Sequence, residues 1–306
     1  MIDTDLVNDV VREQLQARDM EGIADIRWWG ETACQHATFK PNDNARGGTA
    51  NVCTGAGGAD RRLSDRWTIG AGGSWTGGNM GLGSMGSGDY TAPRAFGYVG
   101  YKPNRFGIRG GGSASHSNYQ TKRQIVFQAL LPAELGGGPL MEGIDRTAEA
   151  EQTGSTADSW GEIQDSRKVR TYTFEAMLGI RHQRISRSAF SETGALSLSL
   201  DALEQVLNLT QTDIRLHAWR RTGSYRPFFN FNYRRELAEG DSTTDLTFSG
   251  FPNSDFQVQG IGIPANTYSG KMGVTFVPLI GEATFTYEFK VATGQRRQTV
   301  GLRVRF

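Results

Sequence analysis

The feature that most constrains this sequence is the strict alternation over its last seven residues. Apolar side chains stand at Val300, Leu302, Val304 and Phe306, with Gly301, Arg303 and Arg305 between them. Successive side chains of a β-strand point to opposite faces, so one face of this strand is apolar and the other carries two arginines. A half-buried strand of a soluble sheet shows the same pattern, but soluble chains seldom end on a large apolar side chain. The ending therefore favours a strand whose apolar face meets lipid.

The same alternation recurs through most of the chain and predicts many strands. It is clearest at 67–75, 172–181, 213–217, 229–234 and 284–290. A soluble sandwich and a water-lined barrel both give this alternation, but a membrane barrel also concentrates aromatic residues near the strand ends. Because Phe, Tyr and Trp recur on the apolar face, we predict an all-β, transmembrane, antiparallel up-and-down β-barrel.

The connectors between the predicted strands alternate between long and short. A loop at 40–50 is followed by a turn near 61–65, and a loop at 78–91 is followed by a turn at 102–104. Outer-membrane barrels have long extracellular loops and short periplasmic turns. The connector lengths therefore support a barrel independently of hydropathy.

Two long connectors in succession, 127–151 and 184–206, would break this order. A further strand must precede the strand at 169–183, and only about 152–164 is available for it. With this strand the count is twelve, an even number like that of other single-chain bacterial barrels. The polar stretch 127–168 otherwise has the composition of a solvated extracellular loop.

Composition excludes several classes of protein. No run approaches the roughly 18–20 apolar residues of a membrane helix, so helical spanning is excluded. A net charge of +1 gives no basic excess for nucleic acid, and we predict no such partner. Glycine accounts for 40 of the 306 residues, which is about twice its usual frequency of ~7%. These glycines lie beside aromatic residues in strand-like runs.

The first part of the chain differs from the rest. Residues 5–19 carry apolar side chains at helical spacing, which predicts a short amphipathic helix. From Ile26 onward the apolar residues recur at every second position, as in a strand. The N-terminus has no basic region followed by an apolar one, and so no signal peptide. Because an outer-membrane protein needs a signal peptide, we expect this sequence to be part of a longer precursor.

The two cysteines, Cys34 and Cys53, allow two interpretations. In an oxidising compartment they could form a disulfide across one loop. Two unpaired small residues are an equally good interpretation. No further Cys or clustered His gives a zinc-like spacing, so we predict no metal site.

No constellation predicts catalysis or a cofactor. Residues 81–86 spell G-x-G-x-x-G, but no helical period follows, as a dinucleotide site requires. His116 stands beside Ser115 and Ser117, as in a protease on a barrel rim, but no G-x-S-x-G elbow accompanies them. We therefore predict no enzyme activity and no cofactor.

A series of motifs runs through nearly the whole chain. They are the helix, the Trp-rich strand 26–30, the glycine-rich strands at 54–60, 66–73 and 96–101, the segments 190–198 and 225–228, and the end Val304-Arg305-Phe306. In this order they resemble the C-terminal translocator domain of classical autotransporters, the type V secretion proteins. The F-x-E-x-G motif at Phe190 and the terminal Phe are the more specific motifs. The sequence departs from the family pattern around 127–168.

The resemblance implies a twelve-stranded barrel whose pore holds a helical linker to an N-terminal passenger. Residues 1–23 would be the linker or plug helix, and 24–306 would be the outer-membrane translocator domain. The implied function is to secrete the passenger, which this chain lacks, and to anchor it. Some family members cleave their linker inside the pore, but Asn8 is the only Asn of the helical segment and matches no cleavage dipeptide, so we expect no self-cleavage.

Alternation places a set of charged side chains on the pore-facing side of the strands. They are Glu175, Arg181, Asp213, Arg215, Glu288, Arg303 and Arg305. These residues are either a compensating polar wall or the surface that holds the linker and passes the passenger. The resemblance also implies that Leu302, Val304 and Phe306 form the signal that the barrel-assembly machinery reads.

The remaining expectations concern partners and alternatives. We expect a monomer in the lipid bilayer of the bacterial outer membrane, with the assembly machinery and its own passenger segment as partners. A passive porin-like or adhesion barrel is the alternative function. A soluble all-β binding domain is a third class, which would fold without detergent.

Overall fold

The computed structural model describes most of the chain. The described residues are 11–12, 15, 26–41, 47–81, 86–127, 130–131, 138–139, 144–220, 222–237, 243–259, 264–277 and 282–305. Val11, Arg12 and Leu15 have helical backbone, and the rest of the predicted helix and the boundary at residue 23 lie outside the described residues. No helix in these ranges is both long and apolar enough to cross a membrane.

Strands make up almost all of the described chain. In order they are β1 (Ile26–Phe39), β2 (Gly48–Arg62), β3 (Trp67–Gly81), β4 (Gly86–Tyr101), β5 (Phe106–Phe127), β6 (Leu130–Leu131), β7 (Gly138–Pro139), β8 (Ile144–Val169), β9 (Tyr172–Arg187), β10 (Phe190–Ser191), β11 (Leu200–Ala202), β12 (Gln205–Arg220), β13 (Tyr225–Glu236), β14 (Thr243–Phe248), β15 (Phe251–Gln259), β16 (Asn266–Phe276), β17 (Glu282–Ala292) and β18 (Gln295–Arg305). A short 3₁₀ helix spans Leu196–Leu198.

Twelve of these strands close into one antiparallel barrel. Its order is β1-β18-β17-β16-β13-β12-β9-β8-β5-β4-β3-β2, and β1 pairs with β18 over eleven residues from Trp29–Arg305 to Phe39–Gln295. The predicted twelve-stranded up-and-down barrel is confirmed. We call the end with the connectors 63–66, 102–105 and 170–171 the turn end, and the opposite end the loop end.

The side chains of each barrel strand alternate between the lumen and the outside. On β1, Trp28 is 66% exposed and its neighbour Trp29 is 4% exposed. Large apolar side chains such as Phe174, Leu216 and Phe285 lie on the outside, whereas the buried side chains are mostly polar or charged. This distribution is the inverse of a soluble protein and suits a barrel surrounded by hydrocarbon.

Glycines on the lumen side make room for buried aromatic rings. The Tyr98 ring occupies the space that a side chain at Gly70 would need, and Phe96 does the same at Gly72. A Cβ on Gly58 would lie 2.9 Å from Trp29 Cζ2. The glycine-rich strands beside aromatic residues are therefore a packing requirement of the lumen.

The strand predicted at 152–164 is present but much longer. β8 runs over Ile144–Val169 and pairs with β5 along its whole length, from Phe106–Asp165 to Phe127–Ile144. The prediction of a solvated loop around this strand is therefore wrong for residues 144–151 and 165–168, which belong to β8. The predicted loop at 78–91 is also too long, because β3 reaches Gly81 and β4 begins at Gly86.

A second sheet lies at the loop end, where the sequence predicted only connectors. Its order is β10-β11-β14-β15. It is attached to the β5–β8 hairpin by the Glu149–Thr193 bridge and by Arg123, which donates to Glu192 Oε1 over 3.0 Å. Hydrogen bonds from Ser191 and Ser249 hold the pKa of Asp201 below its ordinary value. The F-x-E-x-G segment therefore docks this sheet onto the extended hairpin.

Substitution of two glycines of β2 tests the packing of rings on glycine. In Gly58→Ala the new methyl group would contact Trp29 and the Ala71 carbonyl, so we expect a loss of about 1–3 kcal/mol of unfolding free energy. Gly55→Ala is the control, because nothing lies within 4 Å of a Cβ there. The stability of each variant is measured as the temperature at which its heat-modifiable gel mobility is lost. Equal midpoints for the two variants would contradict the packing argument.

Candidate functional site

The barrel lumen contains the helical residues. Val11 and Leu15 are 2% and 4% exposed and pack in one cluster against an aromatic wall. That wall consists of Trp29, Phe96, Tyr98 and Trp160. Trp29 Nε1 donates to the Tyr98 hydroxyl over 3.0 Å, and this hydroxyl donates to Asp60 Oδ2 over 3.2 Å, so these two polar groups of the wall have partners. An apolar helix face can dock here without burying an unsatisfied group.

Arg12 faces a charged wall from the same segment. Its Nε lies 3.6 Å from Glu162 Oε2, and its Nη2 lies 3.5 Å from Asp213 Oδ1. Its Cζ lies 4.8 Å over the Trp160 ring. Arg215 pairs with the same two carboxylates, with Nε 2.9 Å from Asp213 Oδ2. The lumen therefore holds a buried arginine of the segment between carboxylates of β8 and β12.

A second set of ion pairs continues toward the turn end. Arg109 Nη2 lies 3.5 Å from Glu175 Oε2, and Lys102 Nζ lies 3.3 Å from Glu175 Oε1. Arg109 Nη1 lies 3.7 Å from Glu162 Oε1 and also donates to the Arg12 carbonyl over 3.5 Å. Arg109 thus joins the charged wall to the backbone of the helical segment.

The segment has a defined direction along the barrel. A Cβ on Gly100 would lie 3.1 Å from Leu15 Cδ2, and Gly100 is one residue from the turn-end limit of β4. Glu162 and Asp213, the partners of Arg12, lie seven residues from the turn-end limits of β8 and β12. The chain therefore runs from the loop side toward the turn end between Arg12 and Leu15.

All seven charged residues that alternation placed on the pore side are buried in the barrel. The structure brings Glu175, Asp213 and Arg215 together around Arg12 and Arg109. The other four pair elsewhere on the wall: Arg181 with Asp158, Glu288 with Lys290, Arg303 with Glu31, and Arg305 with Glu282.

The closing strand divides its side chains as its alternation requires. Leu302 and Val304 point outward and are 38% and 37% exposed, whereas Phe306 lies outside the described residues. Arg303 points inward, directly opposite Glu31 of β1, and donates to its carboxylate. The seam between the first and last strands therefore carries a buried ion pair 272 residues apart in sequence.

The two cysteines lie on the outside of the barrel. Cys34 of β1 and Cys53 of β2 are direct partners in register, and a disulfide joins them. The bond crosses the strand pair five residues inside the loop-side limits of β1 and β2, not the loop at 40–50 itself.

The structure does not assemble the alternative catalytic arrangement. Ser115 and Ser117 face the lumen, whereas His116 between them is exposed on the outer face. Among the described residues, no group of three or more His, Cys, Asp or Glu side chains could hold a metal ion.

Sequence reasoning missed several residues of the site. Arg12, Arg109, Asp158 and Glu162 were not selected, although the last three have the inward parity of their strands. The signal for Arg12 was its place between Val11 and Leu15 on a predicted amphipathic helix, where a charge within the apolar face requires a buried partner.

The seam ion pair gives a testable coupling. Arg303→Met leaves the Glu31 carboxylate buried without its partner, which costs about 3–5 kcal/mol in known buried pairs. The double variant Glu31→Met/Arg303→Met should lose much less than the sum of the two single variants. Urea unfolding in lipid vesicles measures each free energy, with Val300→Met on the exposed side of β18 as the control. Additive losses would show that the pair does not couple the two strands.

The family profile described as the autotransporter beta-domain matches residues 28–284. The translocator domain of the autotransporter NalP from Neisseria meningitidis superimposes with a TM-score of 0.73 at 12% identity, covering 98% of this chain and 97% of that one. The β-domain of the Bordetella autotransporter BrkA gives 0.60 at 14% identity, covering 92% and 99%.

A third solved structure, the transport unit of AIDA-I from Escherichia coli, gives a TM-score of 0.56 at 14% identity, covering 92% of this chain and 90% of that one. No curated protein sequence matches the chain. The three structures share the closed barrel, and the profile match extends over most of the sequence. The chain belongs to the autotransporter β-domain family.

Proposed function

We propose that this barrel lies in the bacterial outer membrane, moves an N-terminal passenger through its lumen and then anchors it. The observation that carries the proposal is the helical segment in the lumen, held by the aromatic wall and by the carboxylates around Arg12. Its direction, with lower residue numbers toward the loop side, suits a passenger that lies outside the loop end. Residues 1–23 would be the linker and 24–306 the translocator.

The membrane setting is supported by the outer surface. Exposed aliphatic and aromatic side chains cover it, as on Leu178, Ile214 and Phe285. A contiguous apolar surface of this size would aggregate in water. The lipid bilayer is therefore the partner of this surface. Because each barrel strand has a neighbour on both sides, the barrel exposes no strand edge, and a monomer is sufficient.

The transport step needs no nucleotide. An extended chain in the lumen meets a wall of charges and amides that are largely paired with each other, and it can exchange hydrogen bonds with water and wall alike. Folding of the passenger outside, together with insertion of the barrel by the assembly machinery, gives the direction. Leu302, Val304 and Phe306 would be the residues that this machinery reads.

Conductance tests whether the segment plugs the pore. The full chain in planar bilayers should conduct little, and deletion of residues 1–23 should raise the conductance several-fold, because the helix no longer fills the lumen. Arg12→Gln should show brief openings, since its hold on Glu162 and Asp213 is weakened. Arg296→Gln, on the exposed face of β18, is the matched control. Equal conductance of the full and truncated chains would favour a passive porin and contradict the plug.

A secretion assay tests the transport itself. A signal peptide and a reporter domain are joined upstream of Met1 and expressed in a Gram-negative host. The reporter should become accessible to protease added to intact cells. Gly58→Ala, which strains the barrel, should lower surface display more than Gly55→Ala. A correctly inserted barrel whose reporter stays in the periplasm would overturn the proposed function.

A further inference from the structure

A cavity of about 430 Å³ lies at the turn end of the lumen. Its inner wall is Leu15 of the helical segment, and its sides are the ends of β2, β3, β4, β5 and β8. Ligand pockets in proteins commonly have volumes of about 300–1,000 Å³, so this one can hold a small molecule or a few residues of a peptide.

The cavity is strongly basic. Among the described residues, its cationic lining consists of Arg62, Arg66, Lys102, Arg105, Arg109 and Lys168, and its acidic lining residue is Asp65. Lys102 and Arg109 pair with Glu175, and Arg105 pairs with Asp165 over 3.2 Å.

Three of these cations, the half-buried Arg62 and the exposed Arg66 and Lys168, have no carboxylate partner within the part of the chain that the structure describes. Arg62, Arg66 and Lys168 form no ion pair with any residue in the described part of the chain. Arg62 is half-buried on the lumen side of β2, so its charge is partly removed from water without compensation. Such a group favours an anion that brings its own charge.

The position of the cavity limits what can reach it. Apart from Tyr101 at the end of β4, the strand residues that line it belong to the lumen face, and the bilayer surrounds the opposite face. A lipid headgroup in the membrane plane is therefore separated from the cavity by the barrel wall. A ligand must arrive along the barrel axis from the turn end. That is also the side from which an exported chain enters, if the proposed function holds.

We propose that this cavity binds the clustered carboxylates of an acidic peptide segment in extended conformation. The planar guanidinium groups of Arg62 and Arg66 can each donate two hydrogen bonds to one carboxylate, and Lys168 adds a point charge. A polypeptide suits the site because Leu15 of the chain already forms its inner wall. The proposal rests on the proposed function only for identifying the arriving peptide with an exported chain.

Equilibrium binding tests the site. Fluorescent pentaglutamate is titrated onto the full chain in zwitterionic detergent, with pentaglutamine as the uncharged probe. Pentaglutamate should bind and pentaglutamine should not, and added salt should weaken binding because it screens the charges. The triple variant Arg62→Gln/Arg66→Gln/Lys168→Gln should raise the Kd by about tenfold or more. Arg296→Gln on the outer face should leave the Kd unchanged.

The outcomes separate this site from the function of the barrel. An unchanged Kd in the triple variant, with heat-modifiable mobility retained, would overturn the site. If tripolyphosphate does not displace bound pentaglutamate, the result supports a site for carboxylates. If tripolyphosphate binds tightly and pentaglutamate does not bind, the site is one for phosphate and the peptide assignment is overturned. A barrel that displays its reporter but binds no pentaglutamate loses the site and keeps the proposed function. A barrel that binds pentaglutamate but leaves its reporter in the periplasm keeps the site and loses the proposed function.

Discussion

The pairing of β1 with β18 is the constraint on which the rest of the structure depends. In hydrocarbon an unpaired backbone group costs several kcal/mol, so a sheet can cross a membrane only when its first and last strands pair. Here eleven residue pairs close the sheet, and Glu31 and Arg303 meet across the seam. This contact joins the two ends of the barrel sequence and forms only when the other strands are in register. The last strand is therefore where the sequence is most constrained.

Twelve closed strands set the circumference of the barrel, and the lumen inside it must be filled by side chains or by water. One side of the lumen is filled by aromatic rings, and glycines on neighbouring strands receive them, as Gly70 receives Tyr98. The other side carries paired charges. The helical segment lies between the two, with Val11 and Leu15 on the rings and Arg12 on the carboxylates. Its amphipathic pattern thus matches the division of the lumen.

Alternation predicted the architecture because strands that cross hydrocarbon must show large apolar residues on one face. It failed at β8, where only the middle of the strand was found. The loop-side part of β8 before residue 152 passes beyond the apolar belt, and its outer face carries Thr147, Glu149 and Glu151, which need no apolar partner. For the lumen, alternation along each strand predicted which charged residues face inward, but it could not predict which of them form ion pairs. Partners such as Glu162 and Arg215, which lie 53 residues apart, are set by register.

The charge pattern of the lumen explains how it can both hold a helix and pass a chain. Without the segment, the carboxylates of Glu162, Glu175 and Asp213 still face three cations of the wall, Lys102, Arg109 and Arg215. Arg12 is therefore an additional cation. When it leaves the lumen, each of these three carboxylates still has a cationic partner in the wall. The ion pairs give the segment its position, whereas burial of Val11 and Leu15 against the aromatic wall supplies an attraction that needs no change in the wall's charge. A lumen that is compensated before the helix docks can accommodate an extended chain first and the helix afterwards.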